Sequence, residues 1–169
     1  AAAAVARRVA CLERIGLLEP LGPDQLRRLA ESHVDRVYAT GEQVVRQGAA
    51  GASMFVIVSG RVEVTVQADG GVATQLAVLG PGEYFGELSL MTGAPRSATV
   101  TTLEETRLLE VGKDAFREVL EVRPELVETL GAALRRRLAA REEAVALQSG
   151  RAAPEPQDVF QKIRDFFAT

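Results

Sequence analysis

Histidine and cysteine are nearly missing: the 169 residues hold one of each. His33 alone cannot build a metal centre, and no other His, Cys or carboxylate cluster offers the missing ligands. There is no recognisable Ser–His or Cys–His pair for nucleophilic catalysis. The metal chemistry of a cupin-like β-roll enzyme, which needs several His ligands, is therefore excluded, and His33 is expected at the surface or a strand edge. Cys11 cannot make an internal disulfide. It sits in an apolar, helix-like segment and reads as a core or partly buried thiol, and the lack of a disulfide framework suits a reducing, cytoplasmic compartment. No apolar run is long enough to span a bilayer. The opening run of four alanines is short and lacks the hydrophobic core of a secretory signal; with no initiator Met, a fragment of a longer protein is expected. A net charge of −3 argues against a general nucleic-acid binder.

The composition, 47% hydrophobic and 25% charged, fits a globular protein with one ordinary domain and some extra helix. Val5, Val9, Leu12 and Ile15 recur at helical spacing, stopped by Gly16 and Pro20. Pro23 and Asp24 open a second helix. From Val34 the period changes to that of strands. The segments 34–38, 43–46, 54–58 and 62–66 are rich in β-branched residues, and Val62, Val64 and Val66 alternate with Glu63 and Thr65. Gly41, Gly48, Gly51, Gly60 and the Asp69-Gly70-Gly71 turn punctuate them. Strands 72–79, 98–103 and 107–111 follow. About eight short strands with tight turns indicate an α+β chain built on an antiparallel β-roll, jelly-roll-like, rather than a parallel sheet.

The chemistry concentrates between Phe85 and Val100. Gly86 has no Cβ and lets the backbone approach a bound group. Residues 87–91 suggest one helical turn whose first amides favour an anion. Thr92-Gly93-Ala94-Pro95 is turn chemistry, and Arg96 follows at once. Amides and a forked guanidinium suit a phosphate. A carboxylate beside them, Glu87, would repel that phosphate unless it faced something else, and a sugar hydroxyl is its natural partner. Together these imply a nucleotide.

The run Phe85-Gly86-Glu87-Leu88 with Ala94-Pro95-Arg96-Ser97-Ala98-Thr99-Val100 resembles the phosphate-binding cassette of cyclic nucleotide-binding domains. These are the domains of catabolite activators, protein kinase A regulatory subunits and cyclic-nucleotide-gated channels. The resemblance implies a regulatory sensor, not an enzyme, whose ligand is cAMP or cGMP, with no metal. It implies that Arg96 pairs with the cyclic phosphate and Glu87 with the ribose 2′-hydroxyl. Phe85, Gly86, Leu88, Ser89, Ser97 and Ala98 would complete the site, with backbone amides at the helix start and just after the Arg. Hydroxyl residues at position 97 accompany cGMP tolerance in parts of the family, and serine also occurs in cAMP receptors; the lean is to cAMP. The similarity covers roughly Leu12 to Leu130, and Gly41, Gly48, Gly60 and Gly82 fall where the family has glycines. Ala52 departs, since many members carry an acid near it. A degenerate turn that binds nothing is the alternative, but such members tend to lose the Arg or the Glu.

The expected layout is a helical lead-in over 1–32 and a roll over 33–111 with the cassette at 85–100. Lid or signalling helices follow over 112–148, then a linker over 149–157 and an amphipathic tail helix over 158–169. Leu126, Leu130, Leu134 and Leu138 form a stripe that either covers the roll or pairs with a second copy. Arg135, Arg136, Arg137 and Arg141 read as a solvated face rather than a nucleic-acid contact. The tail, with Val159, Phe160, Ile163, Phe166 and Phe167 on one side, is expected to dock on its own domain, a sister subunit or the rest of a longer protein. No helix-turn-helix pattern follows the long helix. That disfavours a complete transcription factor, and a nucleotide module ending in Ile163-Arg164-Asp165-Phe166-Phe167 resembles the cytoplasmic C-terminal part of a bacterial cyclic-nucleotide-regulated channel. Control of an ion channel is what that resemblance implies, with a regulator lacking its DNA-binding part or a ligand-free dimerisation module as alternatives.

Overall fold

The computed structural model describes residues 2–15, 18–67 and 71–149. Two helices lead in, α1 (Ala2–Glu13) and α2 (Pro23–Ser32). Strands β1 (Val34–Tyr38), β2 (Gln43–Val45), β3 (Ser53–Ser59), β4 (Val62–Gln67), β5 (Ala73–Leu79) and β6 (Tyr84–Phe85) follow. A short helix α3 (Glu87–Thr92) precedes β7 (Thr99–Thr102) and β8 (Thr106–Gly112), and α4 (Lys113–Val122) and α5 (Leu126–Ser149) close the chain. The strands form two four-stranded antiparallel sheets, ordered β1-β8-β3-β6 and β2-β7-β4-β5. This is the α+β roll expected from the sequence.

Two apolar clusters hold it. Phe55, Ile57, Val62, Val64, Phe85, Ala98, Val100 and Leu108 meet between the sheets. Met54, Val56, Leu109 and Val111 face the other way, onto the helices, with Leu12, Leu29, Leu90, Met91, Phe116 and Leu130 among their neighbours. Strand β3 is therefore covered on both faces, which is why Met54 to Val58 is apolar throughout instead of alternating. By the same alternation, Glu110 lies on the face of β8 that carries Leu108, toward the other sheet.

α1 ends at Glu13, earlier than Gly16. The chain continues through i→i+3 bonds, Ile15 to Leu12, Leu18 to Ile15 and Leu21 to Leu18. That tighter winding turns Ile15, Leu18 and Leu21 into the core. Pro23 begins α2, and Gln25 reaches back to accept from the Gly22 amide at 2.9 Å. Cys11 is partly buried against the helix-side core. His33 directly precedes β1, the edge strand of its sheet, and is not exposed there. It follows the last turn of α2, its side chain is 4% exposed, and its Nδ1 lies 2.5 Å from the Ala30 carbonyl.

α5 runs on through Ser149, so the linker expected from 149 begins no earlier than Gly150, the first breaker after Gly131. Leu126, Leu130 and Leu134 are buried in the helix-side core, so this part of the stripe covers its own domain. The Asp69-Gly70 turn, Gly16, the linker over 150–157, the tail over 158–169 and the side chains of Arg137, Leu138 and Arg141 lie outside the described residues. Among the described residues, no helix is long and apolar enough to cross a membrane, and no three His, Cys, Asp or Glu gather as a metal site would need.

Candidate functional site

β6 delivers the chain to Gly86, whose φ of +85° is left-handed and opens α3. A side chain there would be strained, and its Cβ would lie 2.8 Å from Arg96 Nη1 and 2.9 Å from the Ser53 carbonyl oxygen. Gly93, also left-handed, ends α3, its amide donating to the Ser89 carbonyl at 3.0 Å. The chain then returns through Arg96, clasped on both sides by the β2–β3 loop. The Arg96 amide donates to the Ala49 carbonyl at 2.9 Å, and the Gly48 amide donates to the Arg96 carbonyl at 2.7 Å.

The Arg96 side chain is 7% exposed. Its Nη1 donates to the Ser53 carbonyl at 2.5 Å and its Nη2 to the Ser53 hydroxyl at 3.1 Å. The guanidinium carbon lies 5.7 Å from the centre of the Phe55 ring. Phe55 stacks in turn on its cross-strand partner Phe85, centroids 5.2 Å apart. Burial pulls the guanidinium below its ordinary pKa while the Glu110 carboxylate works against that shift. An arginine starts so high that the group stays cationic.

Phe85, Gly86, Leu88, Ser89, Arg96, Ser97 and Ala98 line one cavity with Val45 and Val100. The expected cassette residues are thus brought together, except for Glu87. Glu87 is 4% exposed and is not part of the cavity lining. The cavity holds about 20 Å³, room for one water and not for a nucleotide. On its other side Arg96 borders an open groove of about 640 Å³, shared with Arg36, Tyr38, Val45, Ser53 and Glu110, which is within the ordinary range of ligand sites.

Sequence reading missed Gly51, Ser53, Phe55 and Glu110. A Cβ on Gly51 would lie 2.4 Å from Arg96 Nε, so the guanidinium packs directly over that glycine. The signal for Glu110 was present: a lone acid inside the otherwise apolar run Leu108-Leu109-Glu110-Val111. No local pattern tied it to a residue as distant as Ser53.

With the site's geometry established, comparison with known proteins adds its ancestry. The model of the family described as "Cyclic nucleotide-binding domain" matches residues 35–123. A CRP-like cAMP-activated global transcriptional regulator of Mycobacterium tuberculosis is 32% identical over 127 residues, 75% of this chain and 57% of the regulator. A cyclic nucleotide-gated potassium channel of Rhizobium etli is 36% identical over 116 residues, 69% of this chain and 31% of the channel. The chain therefore spans little more than half of the regulator and less than a third of the channel. Among solved structures, the N-terminal domain of a transcriptional regulator from Streptomyces coelicolor superposes with a TM-score of 0.65 at 35% identity. The match covers 80% of this chain and 94% of that one.

Proposed function

The chain belongs to the cyclic nucleotide-binding domain family, and from that premise we propose that it senses cAMP, or cGMP, through the cassette between Phe85 and Val100. It is a regulatory, non-catalytic domain. Arg96 takes the cyclic phosphate, the amides at Gly86 to Ser89 and after Arg96 supply further donors, and Glu87 identifies the ribose hydroxyl. The observation that carries this reading is a buried guanidinium sharing one cavity with the cassette residues. The name of the Mycobacterium tuberculosis relative, a cAMP-activated protein, supports the lean to cAMP.

The small cavity on the cassette side of Arg96 supports a mechanism in which the cassette moves. A nucleotide lying in the open groove reaches Arg96 directly, but it contacts the amides of Gly86 to Ser89 only if the cassette opens and α3 moves. Leu90 and Met91 of α3 sit in the same packed cluster as Phe116 of α4 and Leu126, Leu130 and Leu134 of α5. A close-packed cluster transmits such a shift instead of absorbing it, so α4 and α5 reposition with the cassette. Ligand drives the change only by binding the two arrangements with different affinity. The output is a cytoplasmic effector in a longer protein. Relatives include both a transcriptional regulator and a potassium channel, so channel control holds no advantage over transcription. The leucine stripe, occupied by its own domain as far as Leu134, does not favour the dimerisation module.

Thermal melting with saturating cAMP or cGMP tests the sensor directly, because a ligand that binds the native state raises the midpoint. Arg96→Ala should then weaken binding on the order of tenfold to a hundredfold, the loss of one charge-assisted contact. No shift with either nucleotide would reject the sensor in favour of a ligand-free module. Equal affinity in the variant would remove Arg96 from the site.

A further inference from the structure

Arg96 does not stand alone. Ser53 accepts from both terminal nitrogens of the guanidinium, through its carbonyl and through its hydroxyl. The same hydroxyl donates onward to Glu110 Oε2 at 2.7 Å. The second oxygen of Glu110 accepts from Arg36 Nε at 3.0 Å. One continuous chain of charged and polar groups thus runs from the cassette across three strands of a single sheet.

Strand register builds it. Glu110 stands opposite Phe55, and Ser53 lies two residues before Phe55 on the same face, so Ser53 and Glu110 are diagonal neighbours. The Phe55 ring lies beneath the guanidinium that Ser53 holds. Arg36, on the next strand and half exposed, ends the chain at the rim of the groove.

We infer that Glu110, acting through Ser53, is a positioning residue that presets Arg96 for its anionic ligand. The inference rests on the reading that Arg96 takes the phosphate. A long, flexible side chain loses rotamer freedom when it grips a ligand, and one already fixed loses less. Ser53 occupies only part of the donor set of the fork, which carries five N–H groups. The Glu110 carboxylate stabilises the cation in a site where burial disfavours it. Its own oxygens are engaged by Ser53 and Arg36, and two guanidiniums against one carboxylate leave the cluster net positive toward a phosphate.

The test is calorimetric titration of the full chain with cAMP and with cGMP, alongside melting without nucleotide. E110Q keeps the shape and removes the charge; S53A removes the hydroxyl, and S53T restores it. Weakening of about three- to tenfold is expected for E110Q and S53A, with S53T returning to within about twofold of the parent. In the R96A background E110Q should have no further effect, because a positioning residue has nothing left to position. If E110Q fails to fold, the contrast of S53A with S53T decides alone. Parental affinity in E110Q and S53A would overturn the relay and leave the phosphate site intact. So would an E110Q loss undiminished in R96A. Failure of the parent chain to bind either nucleotide would overturn the phosphate reading itself.

Discussion

Gly51→Ala puts a methyl group where the guanidinium of Arg96 lies. The new Cβ would sit 2.4 Å from Nε and 2.6 Å from both Cζ and Nη2. Gly51 is not among the positive-φ glycines, so the backbone accepts alanine, and the three atoms nearest the new Cβ all belong to Arg96. An exposed arginine would swing aside at little cost. Arg96 is 7% exposed and fastened to Ser53 by two hydrogen bonds, so swinging aside breaks both. A charge-assisted hydrogen bond contributes about 1.5–3 kcal/mol, so displacing the guanidinium should lower nucleotide affinity on the order of tenfold to a hundredfold. Apparent stability without nucleotide should fall by no more than about twice that energy, since the Ser53 carbonyl and hydroxyl both lose their donor. Isothermal titration with cAMP reads the first effect and thermal melting the second. Gly80→Ala is the control, since a Cβ there meets nothing within 4 Å and the site is equally free of positive φ. Should Gly51→Ala bind and melt like Gly80→Ala, the guanidinium does not pack over residue 51 and the description of the site is wrong.

Gly60→Ala should damage the fold rather than the site. Its φ is +91°, and a Cβ would lie 2.5 Å from the Glu105 carbonyl oxygen and from Thr106 Oγ1. Strain and clash together cost roughly 2–4 kcal/mol, a fall of roughly 5–15 °C in melting temperature; an unchanged midpoint would refute it. Leu130→Ala removes a side chain that is 1% exposed. It should cost about 2–5 kcal/mol in denaturant unfolding, and a loss near zero would mean that α5 does not cap its own domain. Burial, then the Glu110 carboxylate, raises the Tyr38 pKa above its ordinary value of 10.0. Its contribution to stability is therefore complete below about pH 10 and is lost as pH rises through the raised folded value. Tyr38→Phe should flatten that alkaline decline in urea unfolding, and an identical slope in both proteins would count against it.

Features governed by neighbours in the chain were legible in the sequence. Val62, Val64 and Val66 announce β4 because a strand sends alternate side chains to opposite faces. Gly41, Gly48 and Gly60 read as strand punctuation and adopt positive φ, a conformation few other residues reach without strain. Phe85 to Ser89 and Arg96 to Ala98 lie within one short loop-helix-loop, so residues near in sequence, Glu87 excepted, line one cavity. The stripe of Leu126, Leu130 and Leu134 was legible as an apolar face but not as to what covers it. Periodicity describes one side of a contact, and only packing against Phe116, Leu90 and their neighbours shows the other.

What the tertiary structure alone decided is the environment of Arg96. Ser53 precedes it by 43 residues, and Glu110 lies 57 residues beyond Ser53. Their meeting depends on the register of β3 against β8 and on the β2–β3 loop closing over the cassette. The sequence by itself determined which residue offers the positive charge, because that is a property of one side chain. How the charge is held, with a tight cavity on one side and an open groove on the other, followed only from folding, because both depend on groups that chain order keeps far apart.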